Sequence, residues 1–405
     1  MKKTWFILVI FFLPVIVLGL EYPKVNSKRV EIYDINDDKI LYEIDSSEKA
    51  SIASLTKIAT TITAIESIEN LDEEVTITSE ILNTVSWEAS IAGLKVGDKV
   101  TYRDLLYASI LPSGADATNS LAILSSGSID NFVQKMNELV QKIGLKNTHF
   151  VNTTGLDNKE HYSTADDMRK LLLYALKNPI FKEIYTTRDY ILSNGLKVKS
   201  TLYTYTRNNN IDISKIKGSK TGFTLDAGYC LSSLSNINGH DVIIIVLKAE
   251  NTNGKYYNIV DTVEFINFLL NNYKDEVLVK KDELIKNIPV YLSNIDTYEI
   301  KASKDIMKYL PSDYDKGGIK VEYEGLEELK FTNRKDSKIG TVKYYFEEEL
   351  LYQEDVVLNT SLKMNVKKVI KKYYYVLIII IFIIILMPVL IIRKNKKRNK
   401  KLMFS

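Results

Sequence analysis

The sequence contains very little cysteine and histidine. Cys230 is the only cysteine among 405 residues, and there are three histidines. A single thiol cannot form a disulfide within the chain, and the apolar neighbours of Cys230 are typical of a cysteine that packs as a small hydrophobic side chain. Three histidines, none in a ligand-like pair, argue against a zinc site. We therefore expect no metal, no cofactor and no internal disulfide.

An excess of one charge is also absent. The 54 Lys and Arg residues nearly balance the 51 Asp and Glu residues, and much of the net charge of +3 comes from the last dozen residues. The body of the chain therefore has no basic signature of nucleic-acid binding. Hydrophobic residues at 45% and charged residues at 26% are ordinary globular proportions. A chain of this length is sufficient for a catalytic domain and a smaller companion.

Two apolar segments lie near the ends of the chain. The first follows two lysines and predicts a signal peptide over residues 1–19, with an uncleaved anchor helix as the alternative. The second, residues 373–392, is almost entirely Ile, Leu, Val and Phe and predicts a transmembrane helix. The basic segment 393–405 after it predicts a cytoplasmic tail by the positive-inside rule. We therefore expect a single-pass protein of the cell membrane whose body is extracellular.

The order of local patterns predicts an α+β fold. Residues 30–34 and 39–44 alternate like a β-hairpin, and residues 228–235 and 241–249 form a second hairpin through Asn238-Gly239. Helical periodicity appears at 54–68, 102–110, 115–124, 131–143, 163–176 and 261–270. One antiparallel sheet flanked by helices fits this order better than repeated βαβ units do.

The character of the chain changes near residue 276. Short alternating segments, such as residues 319–323 and 340–346, predict a small all-β domain over residues 276–362. The residues before it, 22–274, are predicted to form the catalytic domain.

A serine and a lysine lie one helical turn apart near the start of a predicted helix. In Ser54-Leu55-Thr56-Lys57 the two polar side chains share a helix face and lie about 5–6 Å apart. Serine needs an adjacent base to act as a nucleophile, and lysine can be that base when burial lowers its pKa. The helix N-terminus adds N–H groups where an oxyanion would form. An exposed helix start can produce this spacing by chance, so the motif alone is weak evidence.

Two further short motifs follow. Ser113-Gly114-Ala115 comes after a Leu-Pro turn, and its hydroxyl either relays a proton or simply caps the next helix. Lys220-Thr221-Gly222 leads into the second predicted hairpin. There Lys220 and Thr221 offer a cation and a hydroxyl to a terminal carboxylate, and Gly222 permits close approach of an extended peptide. The alternative is an ordinary hairpin with a surface lysine.

Together these motifs resemble the combined signature of class A β-lactamases and penicillin-binding proteins. The resemblance is closer to the D-alanyl-D-alanine carboxypeptidase family, the low-molecular-weight penicillin-binding proteins of the S11 peptidase type. The similar segments are Ile-Ala-Ser-Leu-Thr-Lys at 52–57, Asn-Thr-His-Phe-Val-Asn at 147–152, Gly-Leu-Asp at 155–157, His-Tyr-Ser-Thr-Ala at 161–165 and Lys-Thr-Gly-Phe-Thr at 220–224. The resemblance covers roughly residues 30–270 and continues more faintly at 338–342.

The resemblance implies a DD-peptidase-like fold and a reaction. Ser54 would attack the penultimate D-Ala carbonyl of a peptidoglycan stem pentapeptide and form an acyl-enzyme, with Lys57 as base and Ser113 as proton shuttle. Water would then release the shortened peptide, and β-lactam antibiotics would acylate the same serine. The residues that the resemblance assigns to substrate binding are Lys220, Thr221, Gly222 and Phe223. The backbone N–H groups of Ser54 and Phe223 would form the oxyanion hole.

One position departs from the family pattern. Ala115 stands where the second motif normally has an asparagine that bonds to the substrate backbone and the catalytic lysine. Losing a polar contact in a desolvated site costs about 1–3 kcal/mol, or roughly ten- to a hundredfold in rate. We expect Asn119, one helical turn later on the same face, to take over part of this substrate contact.

Three alternatives remain open. A β-lactamase shares the nucleophile, but the chain has no Glu-x-x-Leu-Asn segment between residues 117 and 220. An endopeptidase that cuts peptide cross-links uses nearly the same chemistry. A non-catalytic module that binds stem peptides is supported only by Ala115.

Overall fold

In this computed structural model the described residues are 21–207, 211–252, 254–314 and 316–402. They form two compact units. The first ends at Lys274 and also contains Pro311–Asp313, and the second consists of Asp275–Leu310 and the chain from Tyr314 onward. The signal peptide predicted at 1–19 lies outside the described residues. We propose residues 22–274 as the catalytic domain and residues 276–362 as the β-rich domain.

The first unit mixes helices and strands. Its helices are the 3-10 helix Ala53–Leu55, α1 (Thr56–Ser67), α2 (Ser79–Leu82), α3 (Tyr102–Ile110), α4 (Ala115–Ser126), α5 (Ile129–Ile143), α6 (Ala165–Leu176), α7 (Pro179–Thr186), α8 (Thr201–Thr206) and α9 (Tyr257–Asn272). Its strands are β1 (Arg29–Asp34), β2 (Lys39–Ile44), β3 (Glu74–Thr76), β4 (Lys99–Thr101), β5 (Asp189–Ile191), β6 (Lys197–Lys199), β7 (Ile216–Thr224), β8 (Gly228–Ile237), β9 (His240–Ala249), β10 (Asn251–Thr252) and β11 (Lys255–Tyr256).

Five of these strands form one antiparallel sheet in the order β2-β1-β9-β8-β7. The two predicted hairpins are confirmed, because β1 pairs with β2 and β8 pairs with β9. Asn238 and Gly239 have φ values of +52° and +96°, which the tight turn between twisted strands requires. Strand β7, which contains the Lys-Thr-Gly motif, is an edge strand and so has one side free of sheet hydrogen bonds.

Helix α1 is the buried centre of the first unit. Every residue from Thr56 to Ile65 is buried, and the helix packs against α3, α4 and α5. The helix predicted from residue 54 begins at Thr56 instead, because Ala53 has φ +47° and a 3-10 turn precedes the helix. Ser54 is therefore held in a turn at the start of a buried helix.

Helix α7 was not predicted from the sequence. Asn178 caps it by accepting hydrogen bonds from the N–H groups of Ile180 and Phe181, and Pro179 occupies its first position. Both are ordinary helix-start signals. The helix has only eight residues, so its apolar periodicity is too short to stand out.

The second unit is built from strands, which confirms the predicted β-rich region. The elements after α9 are β12 (Tyr273–Val279), β13 (Leu284–Tyr291), β14 (Thr297–Lys301), β15 (Ile306–Pro311), the 3-10 helix Lys316–Gly318, β16 (Ile319–Gly325), β17 (Leu329–Lys330), β18 (Lys338–Phe346) and β19 (Glu349–Val357). Alternate residues of β18 are buried, as expected for strands with one face on a core. Ile288, Ile300, Leu329 and Val342 belong to this separate core.

A long helix, α10 (Val366–Leu402), follows the β-rich unit. Its backbone departs from helical geometry at Tyr373, and it contains Pro388. Among the described residues it is the one helix that is long and apolar enough to cross a membrane. Its length and composition agree with the span predicted at residues 373–392.

Candidate active site

A cleft of about 370 Å³ opens beside the start of α1 in the first unit. Ser54 and Lys57 lie in it, together with part of the loop between α2 and β4 and the end of β7. The residues that line it are Ser54, Lys57, Trp87, Glu88, Ala89, Ser90, Thr154, Gly155, Leu156, Asp157, Phe223, Thr224 and Leu225.

Ser54 and Lys57 are in hydrogen-bond contact in this cleft. Lys57 Nζ lies 2.9 Å from Ser54 Oγ and donates a second bond of 2.9 Å to the carbonyl oxygen of Thr154. The spacing of three residues brings the side chains together because the helix begins within this segment. Ser54 is half-buried, whereas Lys57 is almost fully buried. A nucleophile and its base are thus presented together to the cleft.

Burial lowers the pKa of the Lys57 ammonium from its ordinary value of 10.5 to about 7, and the charge of Asp116 opposes this shift to a smaller extent. A buried amine resists protonation because the charged form loses its hydration. At neutral pH a substantial fraction of Lys57 is therefore the free amine. An amine of this kind can accept a proton from Ser54.

A second lysine–serine pair lies in the same region. Lys220 Nζ donates hydrogen bonds to Ser113 Oγ at 2.9 Å and to the carbonyl oxygen of Thr221 at 2.7 Å. Burial, with the nearby charge of Lys57, lowers the pKa of Lys220 well below its ordinary value. Within the described residues neither lysine forms a salt bridge. An anion that enters the site would therefore favour the charged form of Lys220.

Strand β7 lies directly against the turn that holds Ser54. A Cβ atom on Gly222 would lie 3.0 Å from the backbone nitrogen of Ser54 and 3.0 Å from Ala53 Cβ. Only glycine therefore allows this approach without displacement of the turn. Thr221 Oγ1 lies 2.6 Å from Thr201 Oγ1, and Phe223 is half-exposed at the cleft.

A hydrogen-bond chain supports the turn from below. His161 Nδ1 accepts from the N–H of Val151 at 3.2 Å, and Nε2 lies 2.8 Å from Thr56 Oγ1. Burial lowers the pKa of His161 to about 4, so the ring is neutral at pH 7. Because Nδ1 is the acceptor, the proton is on Nε2 and is donated to Thr56. The Thr56 hydroxyl in turn donates to the carbonyl oxygen of Ala53 at 2.8 Å.

The structure does not bring Asn119 to the cleft as the sequence led us to expect. Its Nδ2 donates to Thr84 Oγ1 at 3.0 Å, and its Oδ1 accepts from Thr153 Oγ1 at 2.7 Å. These bonds occupy both ends of the amide, and the side chain is buried. Direct substrate binding would break them, so a role in positioning Thr153 and its neighbour Thr154 fits the geometry better.

Three contributors to the cleft were missed by sequence reasoning. Thr154 supplies a backbone carbonyl to Lys57, and a backbone group leaves no side-chain signal in the sequence. Asp157 belongs to the Gly-Leu-Asp segment that carries the family resemblance. The sequence therefore singled out this residue but did not predict a role for it. The loop with Trp87 and Glu88 lacks a motif, and only the folded chain places it on the cleft wall.

Two family models match the sequence. Residues 18–251 match the family model described as D-alanyl-D-alanine carboxypeptidase. Residues 273–368 match the model described as the C-terminal domain of penicillin-binding protein 5.

The sequence relatives span most of the chain. The Bacillus subtilis protein named D-alanyl-D-alanine carboxypeptidase DacF is 27% identical over 344 residues, which are 84% of this chain and 86% of that protein. A Streptomyces D-alanyl-D-alanine carboxypeptidase is 37% identical over 219 residues, 51% of this chain and 75% of that protein. An Escherichia coli protein named D-alanyl-D-alanine endopeptidase is 30% identical over 59% of this chain and 76% of its own length.

Solved structures show the same fold. Penicillin binding protein 5 from Haemophilus influenzae has a TM-score of 0.60 and 25% identity, covering 85% of this chain and 99% of that one. The first family model matches more than half of the residues, and the segments 52–57, 155–157 and 220–224 all contribute residues to the cleft. This protein therefore belongs to the D-alanyl-D-alanine carboxypeptidase family of S11 serine peptidases.

Proposed function

We propose that this protein is a serine-type D-Ala-D-Ala carboxypeptidase that removes the terminal D-Ala from peptidoglycan stem pentapeptides and binds β-lactams. The observation that carries the proposal is the contact of 2.9 Å between Ser54 Oγ and Lys57 Nζ, beside the Lys220–Ser113 pair. The relatives named D-alanyl-D-alanine carboxypeptidase support the same activity.

In the acylation step Ser54 Oγ attacks the carbonyl carbon of the penultimate D-Ala, and the neutral amine of Lys57 accepts the hydroxyl proton. The backbone N–H groups of Ser54 and Phe223 stabilise the oxyanion. The C–N bond then breaks, and the amine of the terminal D-Ala receives a proton through Ser113. Attack of water on the ester releases the tetrapeptide and restores Ser54.

Lys220 and Thr221 bind the terminal carboxylate of the substrate. Lys220 is buried without a carboxylate partner among the described residues, so an incoming carboxylate supplies a counter-charge for its ammonium form. Its charge raises the pKa of Lys220 and favours the ammonium form. Substrates that lack a free C-terminal carboxylate should therefore bind poorly.

We expect the rate of acylation to depend on pH through Lys57. Its pKa lies near 7, so lowering the pH converts the amine to an ammonium that cannot accept the proton of Ser54. The acylation rate should fall about tenfold for each pH unit that the pH drops below 7, and it should be constant above 7. Stopped-flow acylation by a chromogenic cephalosporin measures this directly. A profile that stays flat from pH 5 to 9 would argue against Lys57 as the base.

The direct test uses the full chain in detergent micelles. It is incubated with a stem pentapeptide ending in D-Ala-D-Ala, and free D-Ala is measured over time. The same enzyme is given a cross-linked dimeric peptide, because relatives named endopeptidase are 30% and 32% identical to this chain. Release of D-Ala supports the proposal. Cleavage of the dimer alone would replace it with endopeptidase activity.

We also propose that α10 anchors the protein in the cell membrane with the catalytic unit outside. The helix is apolar over its central part, and the segment from Arg393 onward is basic, which favours the cytoplasmic side. A cysteine introduced as Ser405→Cys should resist a membrane-impermeant thiol reagent in intact cells and react after permeabilisation. Labelling in intact cells would reverse the proposed orientation.

A further inference from the structure

Two carboxylates line the catalytic cleft and have no part in the reaction described above. They belong to Glu88, in the loop between α2 and β4, and Asp157, in the loop after Gly155. Lys57 is the one basic side chain among the residues that line the cleft in the described part of the chain. The opening of the cleft is therefore acidic, although the substrate itself ends in a carboxylate.

The edge strand fixes which part of the substrate reaches these groups. The proposed site binds the terminal carboxylate at Lys220 and the scissile carbonyl at the N–H of Phe223. A peptide extended along β7 therefore continues toward Thr224 and Leu225. The residue that precedes the penultimate D-Ala, the third residue of the stem, then lies where Glu88 and Asp157 line the cleft. This step rests on the proposed function.

Asp157 is held in place by two hydrogen bonds. Its Oδ1 accepts from Thr224 Oγ1 at 2.6 Å, and its Oδ2 accepts from the N–H of Asp226 at 3.2 Å. A carboxylate has about four acceptor positions, so both oxygens can accept a further bond. The carboxylate is thus positioned by the end of β7 and still able to bind a cation.

Glu88 lies on the other loop of the cleft, and its side chain is exposed. Its carboxylate makes no hydrogen bond or ion pair with the residues that the structure describes. The same loop is fixed further along, because the N–H of Ala115 donates to the Ser90 carbonyl at 2.7 Å and the Asp116 carboxylate accepts from the N–H groups of Ala92 and Gly93 at 2.8 Å. Glu88 is therefore an unpaired anion on an anchored loop.

Apolar surface accompanies the two carboxylates. Trp87 and Leu225 line the cleft with 90% and 93% of their side chains exposed. Large apolar side chains left so exposed at a cleft are typical of contacts with a ligand. The carboxylates are complementary to a terminal ammonium, and the apolar surface is complementary to methylene groups. A side chain that contains both would fit this part of the cleft.

We propose that Glu88 and Asp157 bind the side-chain ammonium of a diamino acid at the third position of the stem peptide, while Trp87 and Leu225 pack against its methylene groups. The cleft therefore selects stem peptides in which this amine is free. Acylation of the amine, or its use in a cross-link, removes the charge and weakens binding. An acidic residue at this position is disfavoured by like-charge repulsion.

The test compares two pentapeptides that differ only at this amine. One has L-lysine at the third position and the other has Nε-acetyl-L-lysine. For the wild-type full chain in micelles, kcat/KM for D-Ala release should favour the free amine by roughly three- to tenfold at low salt. The Glu88→Gln variant should reduce this ratio to about two or less, and 0.5 M salt should reduce it in the wild type.

The matched control is Glu160→Gln, which removes an exposed carboxylate from the same stretch of chain as Asp157 but outside the cleft lining. It should keep the wild-type ratio. Equal ratios for the wild type and Glu88→Gln, or an equal loss in Glu160→Gln, would overturn the proposal.

A binding readout separates this proposal from the proposed reaction. Trp5 and Trp87 are the two tryptophans of the sequence, so a Trp5→Phe, Ser54→Ala double variant reports on the cleft through Trp87 fluorescence alone. Titration should give a Kd that is lower for the free-amine peptide by the same factor of three to ten. We expect this difference in Kd even if the wild-type protein does not release D-Ala. Identical Kd values would overturn the proposal although D-Ala is released.

Discussion

Replacing Ser54 with alanine should abolish both D-Ala release and covalent labelling by fluorescent penicillin, with the fold intact. Lys57 Nζ lies 2.9 Å from Ser54 Oγ, and no other hydroxyl is in hydrogen-bond contact with this amine among the described residues. Removal of the serine nucleophile of a peptidase typically lowers kcat by roughly 10⁴-fold or more. We therefore expect turnover at the level of the uncatalysed background. Gel fluorescence and a D-Ala assay measure the two losses separately.

The control is Ser47→Ala, which removes a hydroxyl from an exposed position seven residues earlier in the chain. It should label and turn over like the wild type. The Ser54→Ala variant should also unfold at nearly the wild-type temperature, because Ser54 is only half-buried. Penicillin labelling that persists in Ser54→Ala would assign the acyl-enzyme to another residue and contradict the proposed mechanism.

Replacing Gly155 with alanine should disable the site by a different route. Gly155 has φ +86°, and a Cβ atom there would lie 1.8 Å from the carbonyl oxygen of Ala53 and 2.8 Å from Thr56 Oγ1. The Ala53 carbonyl must therefore move, and Ser54 follows it directly in the chain. Because a displacement of about 1 Å in an active site can cost roughly a hundredfold in rate, we expect an acylation rate at least that much lower.

Gly195→Ala is a matched control for the backbone strain. Gly195 has φ +85°, nearly the same as Gly155, but a Cβ atom there would have no neighbour within 4 Å. A left-handed alanine costs about 1–2 kcal/mol in either position. Thermal unfolding and penicillin acylation of both variants separate the effect of backbone strain from the effect of the steric clash with Ala53. If the two lose the same stability and both keep full acylation, the close contact with Ala53 has no bearing on the site.

This contact also explains how the reactive turn is held. The Ala53 carbonyl accepts a hydrogen bond from Thr56, which in turn is bonded to the neutral ring of His161. Gly155 fills the remaining space beside that carbonyl. The backbone conformation of Ala53, with φ +47°, is therefore fixed from two sides. Strained backbone is kept in this way where it positions reacting groups.

The helices and hairpins that carry these groups were largely predictable. Both hairpins around the sheet followed from alternation and from turn residues such as Asn238-Gly239, and the helix over residues 102–110 was predicted with the bounds that α3 has. These features depend on neighbours within a few positions in the chain. Helix α7 was overlooked because its eight residues give little periodicity.

Asn119 shows the limit of such reasoning. Its place one turn after Ala115 on α4 follows from helical spacing, but its partners Thr84 and Thr153 are 35 and 34 residues away in the chain. Helical periodicity predicts which residues share a face, not what that face meets. In the structure its side chain links two loops, and the substrate contact expected of it stays a prediction.

The sequence by itself determined the chemistry of this protein. The order and spacing of the Ser-x-x-Lys, Ser-Gly-Ala and Lys-Thr-Gly motifs indicate a serine nucleophile, its base and an anion site, because these functions depend on residue type and local spacing. The tertiary structure alone decided the environment of those groups. Burial, which lowers the pKa of Lys57 to about 7, and the placing of Glu88 and Asp157 on one cleft both arise from packing between segments that are distant in the chain. Desolvation and long-range contacts are properties of the folded chain, so no local pattern encodes them.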